Sequence, residues 1–141
     1  MDALSNIYDW ARAQLLTANL DWLDVNLVVS AWAGTKTFVP TDTTIAHVKA
    51  RGAVERGYSL PIALTSVSTD GTAKTDPVLI PAIAPGTPIL WFTMSEVASP
   101  HDNSKLILFI DHAIPELPFV PNGLDILLQP DWSTGRGWWR P

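Results

Sequence analysis

The sequence predicts a mainly β fold: a small β-sandwich or barrel, jelly-roll or immunoglobulin-like, with one short N-terminal helix. Three observations predict it. Beyond Asn19 the chain is a series of short runs rich in Val, Ile, Thr and aromatic residues, each ended by Pro or Gly. Two dipeptides, Asp70-Gly71 and Asn122-Gly123, carry the turn chemistry that β-hairpins need. The chain has 141 residues, 47% of them hydrophobic, enough to bury a core without disulfide staples. It reads as a single domain over 1–141, with a helix or arm over 1–19 and a β-domain over 20–141.

The elements follow in order. Leu4, Ile7, Tyr8, Ala11 and Leu15 recur at helical spacing, with Trp10 and Leu16 beside them. Asp2 or Ser5 supplies a start cap, and Thr17-Ala18-Asn19 an end, Asn tolerating a left-handed residue. We expect this helix to pack on the chain's own core; the other reading is an arm on a neighbouring subunit. Candidate strands are Val25–Trp32, Ala63–Ser68, Ala73–Leu79, Ile89–Ser95, Leu106–Asp111 and Asp125–Gln129, with a last one including Trp138-Trp139. Asp70-Gly71 suits a type I′ turn, whose central residues both need positive φ. Pro121 precedes Asn122-Gly123 and cannot donate to a ladder, so the strand entering that turn is short or at an edge. Between Gly34 and Gly57 the pattern weakens. Ile45-Ala46-His47-Val48 reads as a short strand and Arg51–Gly57, glycine at both ends, as a loop. Pro77 to Pro88 reads as an extended connection.

Composition narrows the function classes. Nine basic residues against 14 acidic ones leave a net charge of −5. That argues against direct nucleic-acid binding, which needs a basic face. The densest basic group, Lys49, Arg51 and Arg56, is interrupted by Glu55 and reads as a solvated face rather than a phosphate site. No apolar run approaches the ~18 residues of a membrane span, and no signal peptide is visible. The absence of Cys excludes disulfides, thiolate metal sites and cysteine nucleophiles from this chain. Charged residues make up 16%, against about 25% in an average domain. Seven Trp and few charges leave apolar surface either exposed or buried in a partner, which points to a subunit of an assembly; the alternative is a monomer whose polar cover is Thr, Ser and Asn.

Catalytic signatures are weak. The nucleophile elbow Gly-x-Ser-x-Gly is absent, as are the phosphate-binding glycine motifs, so no catalytic residue is assigned. A glycan hydrolase needs only two facing carboxylates, and no pair stands out. His101-Asp102 and Asp111-His112 each join an imidazole to a carboxylate, but the strand between them holds them about 20 Å apart. Each His reads as a solvated loop residue, and His47 as a packing or capping one. Neither a metal nor another cofactor is expected.

The second half carries a more specific pattern. It runs Leu106-Ile107-Leu108-Phe109-Ile110-Asp111, then Leu117-Pro118-Phe119-Val120-Pro121-Asn122-Gly123-Leu124-Asp125-Ile126, then Asp131-Trp132 and a terminal aromatic segment. This resembles a family of small virion structural proteins of tailed bacteriophages. Members show "L-I-x-x-I-D", "L-P-x-x-P-N-G-G-D-I" and a terminal aromatic-basic piece. The helix leading through Leu20-Asp21-Trp22-Leu23 into Val25–Val29 is similar too. Leu124 departs from the family's second glycine. The resemblance implies a virion component, and size, acidity and strand content fit a capsid decoration or cement protein better than a head–tail connector or tail protein. It implies as partners the major capsid protein or other virion proteins, together with a homo-oligomer; membranes and nucleic acid are not expected partners. The competing class is an enzyme, such as a hydrolase acting on glycans; a third is a monomeric carbohydrate-binding module using Trp faces. For the interface we single out Trp132, Trp138, Trp139 and Arg140, because Trp and Arg dominate interface hot spots and neighbouring strand residues point to opposite faces.

Overall fold

A computed structural model describes residues 6–22, 25–36, 38–62, 65–67, 73–75, 77–111 and 117–128. The fold is mainly β, with one helix longer than six residues among them. The elements are β1 (Asn6–Ile7), α1 (Asp9–Leu16), β2 (Leu27–Gly34), α2 (Ile45–Ala50), β3 (Ala53–Tyr58), β4 (Thr65–Val67), β5 (Ala73–Thr75), β6 (Val78–Ile80), β7 (Trp91–Glu96), a 3-10 turn (His101–Asn103), β8 (Lys105–Ile110) and β9 (Ile126–Leu128). A five-stranded antiparallel sheet runs β1-β8-β7-β2-β3, and β4-β5 and β6-β9 form two-stranded ribbons.

Strand β2 lies inside the sheet, between β7 and β3, and is buried on both sides, so both faces of the sheet must be covered. On the first face Leu27, Val29 and Ala31 meet Phe92 and Met94 of β7 and Leu108 and Ile110 of β8. Above them lie Val78 and Ile80 of β6, Ile126 and Leu128 of β9, and Ala11 of α1. On the second face Trp32, Trp91 and Phe109 are covered by Ile45 and Val48 of α2, by Tyr8 and by Phe38. Trp32 and Trp91 stand opposite each other in register and stack at 6.0 Å between centroids. The Trp32 indole N–H donates to Thr93 Oγ1 at 2.8 Å, which satisfies the group that burial would otherwise leave unpaired. A register shift between Met94 and Ser95 gives β8 an extra residue there. Leu106 thus joins the second core while Ile107 joins the first.

Several expectations are met with moved boundaries. The helix is shorter than its periodicity predicts: Tyr8 is its N-cap, and Ala18 rather than Asn19 takes the left-handed φ of 59°. Asp2 and Ser5 lie outside the described residues. The helix packs on the chain's own core, with Ala11 buried and Trp10 and Leu15 against the first cluster. The expected strand Ala73–Leu79 is divided between two ribbons, with Pro77, which lacks an N–H, between β5 and β6. The Asp70-Gly71 turn lies outside the described residues. Its flanks pair Val67 with Ala73, one residue off the Val67–Lys74 pairing that a two-residue turn would set. The strand expected at Trp138-Trp139 also lies outside them.

Two readings are corrected. Ile45–Val48 is the start of α2, not a strand. Thr44 caps it, its side chain accepting from the His47 N–H while His47 reaches back to the Thr44 N–H. His stands where the usual signature has Glu or Gln, which hid the motif. Ile45 and Val48 then fall on one buried face. Arg51–Gly57 is not a loop but the turn into β3 and most of that edge strand, which pairs with β2 from Ser30–Tyr58 to Gly34–Ala53. Gly57 marks close packing: a Cβ there would lie 3.1 Å from Ile83 Cγ1.

Gly34 ends β2 at φ +80°, and a Cβ there would sit 2.8 Å from the Gly52 carbonyl oxygen. Gly34→Ala therefore meets both backbone strain and a backbone clash. It should cost more than about 1 kcal/mol of unfolding free energy by denaturant titration; an unchanged midpoint would contradict this account.

Candidate functional site: an interaction surface

Three of the described cations, Lys49, Arg51 and Arg56, are engaged within the protein. Arg51 of the turn after α2 forms a bidentate pair with Asp42, Nε to Oδ2 at 2.7 Å and Nη2 to Oδ1 at 2.8 Å. Arg56, beside the shifted register of β3, donates to the carbonyls of Ala84 and Thr87 and fastens the proline-rich loop over the first face. Lys49 Nζ lies 2.7 Å from Asp102 Oδ1 and 3.5 Å from Glu55 Oε1. His101 Nε2 is 2.8 Å from the other Glu55 oxygen, and its ring stacks on Tyr58 at 3.7 Å. Three elements, α2, β3 and the 3-10 turn, are thereby tied at one point.

This corrects two sequence readings. Lys49, Arg51 and Arg56 are not a merely solvated face, and His101 is not a solvated loop residue. The Glu55 side chain is only 7% exposed and His101 is part-buried. The partners are 46 and 53 residues apart in sequence, so no local spacing could reveal them. The one available signal was Glu55 itself, an acid set among three cations. His47 caps α2, as the capping reading has it.

The electrostatics follow from this geometry. The hydrogen bond to Asp102, with the charge of Glu55 added, raises the Lys49 pKa above the usual lysine value. The bond to Asp42 does the same for Arg51. Burial, with a smaller push from Asp42, drives the Tyr8 phenol well above its ordinary value. Every one of these shifts favours the proton-bound form, which holds the cations in their pairs. None prepares a base or a nucleophile. Among the described residues no three His, Asp or Glu side chains are disposed to hold a metal ion. His101-Asp102 precedes β8 and Asp111 follows it, at opposite ends of the strand; His112 lies outside the described residues.

The aromatic residues divide in the same way. Trp22, Trp32 and Trp91 are buried and Trp10 is half-buried against the first core, so among the described residues no tryptophan offers an exposed platform. The predicted interface residues Trp132, Trp138, Trp139 and Arg140 lie outside the described residues. Apart from Tyr58, the large apolar residues that the described surface exposes are aliphatic. Leu79 of β6 and Leu127 of β9 are register partners whose neighbours Val78, Ile80, Ile126 and Leu128 all point into the core. The two leucines are 48% and 55% exposed and form the outward position of both ribbon strands. Leu124 and Val120, just before β9, are also more than half exposed. Sequence reasoning missed this pair because three-residue strands give too little alternation to say which residue faces out.

The segment that carries the phage resemblance builds this ribbon. Asn122 Oδ1 accepts from the Leu124 N–H at 3.1 Å, and Gly123 takes φ +86°. Asp125 Oδ1 accepts from the Ala82 N–H at 2.8 Å, and Ile126 starts β9 opposite Ile80. Leu124 is not among the positive-φ residues, so the turn does not need a second glycine. No helix among the described residues is long and apolar enough to cross a membrane. No protein-family model, curated protein or solved structure gives a significant match to this chain.

The buried phenol sets a pH dependence. An unfolded tyrosine ionises near pH 10, while buried Tyr8 keeps its proton beyond that. The folded state then holds more protons than the unfolded one, so stability falls as pH rises above about 10. Tyr8→Phe should flatten that alkaline decline in denaturant titrations, and an equally steep decline in the variant would remove Tyr8 from it.

Proposed function

We propose that this chain is a structural protein of a tailed-bacteriophage virion, acting as a capsid decoration or cement protein through non-covalent contacts. The observation that carries the reading is the outward Leu79–Leu127 pair on a ribbon set by the Pro-Asn-Gly-Leu-Asp-Ile segment. A sheet covered on both faces gives a stiff body, and its outer layer presents leucine where a solvated ribbon would carry polar residues. The densest basic group, Lys49, Arg51 and Arg56, is engaged internally, which disfavours phosphate as the partner surface. The partner chemistry that fits is another protein's apolar surface: the major capsid protein, a different virion protein, or a further copy of this chain. Localisation in the virion, after assembly in the host cytoplasm, follows from the same reading.

The runner-up within the class is a head–tail connector or tail protein. The glycan-binding alternative, which relied on Trp faces, is disfavoured by the burial of Trp22, Trp32 and Trp91.

Mass spectrometry of purified virions tests the proposal. A decoration protein should be found at on the order of hundreds of copies per particle, whereas a ring of a connector or tail would hold about a dozen. Absence from particles would end the structural reading.

A further inference from the structure

We propose that the Leu79–Leu127 face is the docking site for the C-terminal segment, residues 129–141, of a second copy of this chain. Three features carry this. The first is the face itself: two leucines directly opposite each other on the ribbon, half exposed in the single chain, with buried neighbours on both sides of each. The contact such a pair invites is an apolar side chain laid across it.

The second is where the chain goes. Residues 129–141 continue directly from Leu128, the last residue of β9. Extended, at ~3.3 Å per residue, they reach on the order of 40 Å. The ribbon strands are three residues long and span only about 10 Å. The segment is therefore long enough to reach the ribbon of a neighbouring copy.

The third is chemistry. The segment carries Trp132, Trp138 and Trp139, and Arg136 and Arg140 outnumber its single acid, Asp131, while the chain as a whole has a net charge of −5. A basic, tryptophan-bearing arm meets an acidic body with an apolar landing place. Trp is the side chain that gains most from such a site. An arm from each copy onto the ribbon of the next gives either a reciprocal dimer or an open chain, depending on the rotation between copies.

The inference rests on the reading of the chain as an assembling protein, and full-length variants test it by complementation. One variant carries Leu79→Ser and Leu127→Ser, which spoil the face. Another carries Trp132→Ser, Trp138→Ser and Trp139→Ser, which spoil the arm. Sedimentation should show the unaltered chain self-associating. Each variant alone should associate at least about tenfold more weakly. An equimolar mixture should recover a one-to-one complex, since one intact arm and one intact face remain. Melting curves check folding, and a peptide of residues 129–141 should bind the arm variant but not the face variant. A monomeric unaltered chain, face variants that associate as well as the unaltered chain, or a mixture that stays monomeric would each overturn the proposal. The last result would place the arm on its own ribbon. Virion mass spectrometry is unaffected by these outcomes, so this proposal and the virion reading fail separately.

Discussion

The requirement that β2 be covered on both faces organises the described structure. Leu27, Val29 and Ala31 point one way, and Val28, Ser30 and Trp32 the other, and all six are buried. Neighbours β3 and β7 satisfy the strand's edges, but neither supplies a face. A short chain must therefore find two covers. It places α1 and the β6–β9 ribbon on one side, and on the other the segment that ends in α2. Tyr8 joins the second cluster while Ala11, one turn later, joins the first, so the N-terminal helix begins at the rim between the two cores.

The scarce charges are spent on holding these covers down. The Arg51–Asp42 fork fastens the turn after α2 to the segment before it, and Lys49, Glu55, His101 and Asp102 join α2 to the edge strand and the 3-10 turn. Arg56 does the same for the proline-rich loop with carbonyls instead of carboxylates. In these pairs the carboxylates of Asp42 and Glu55 are buried and their partners reach solvent, and the pairs fix orientation where the hydrophobic effect alone is indifferent. Lys49, Arg51 and Arg56 are turned to internal tasks, and the outward positions of the ribbon, Leu79 and Leu127, are aliphatic. That links the low charge content to the interaction surface.

The sequence by itself determined the fold class. Prolines and glycines between β-branched runs leave room only for short strands, and β2, β7, β8 and β9 all lie within two residues of where the pattern puts them. It marked a bend at Asn122-Gly123, which an Asn side chain and a Gly backbone suffice to make locally, but not the hairpin that such a dipeptide suggests, since β9 pairs with β6 instead of the segment before the bend. It also determined that α1 packs inward. Only the tertiary structure decided the rest. Strand β3 exists because β2 has an edge to fill, not because Ala53–Tyr58 has strand character of its own. Helix α2 exists because a histidine completes a cap and a tryptophan-lined face needs Ile45 and Val48. Glu55 and His101 meet only when the sheet brings residues far apart in the chain side by side. Which leucine of a three-residue strand faces water was settled by which side the core lay on. Local chemistry writes turns and propensities into the sequence; burial and long-range pairing are properties of the assembled sheet.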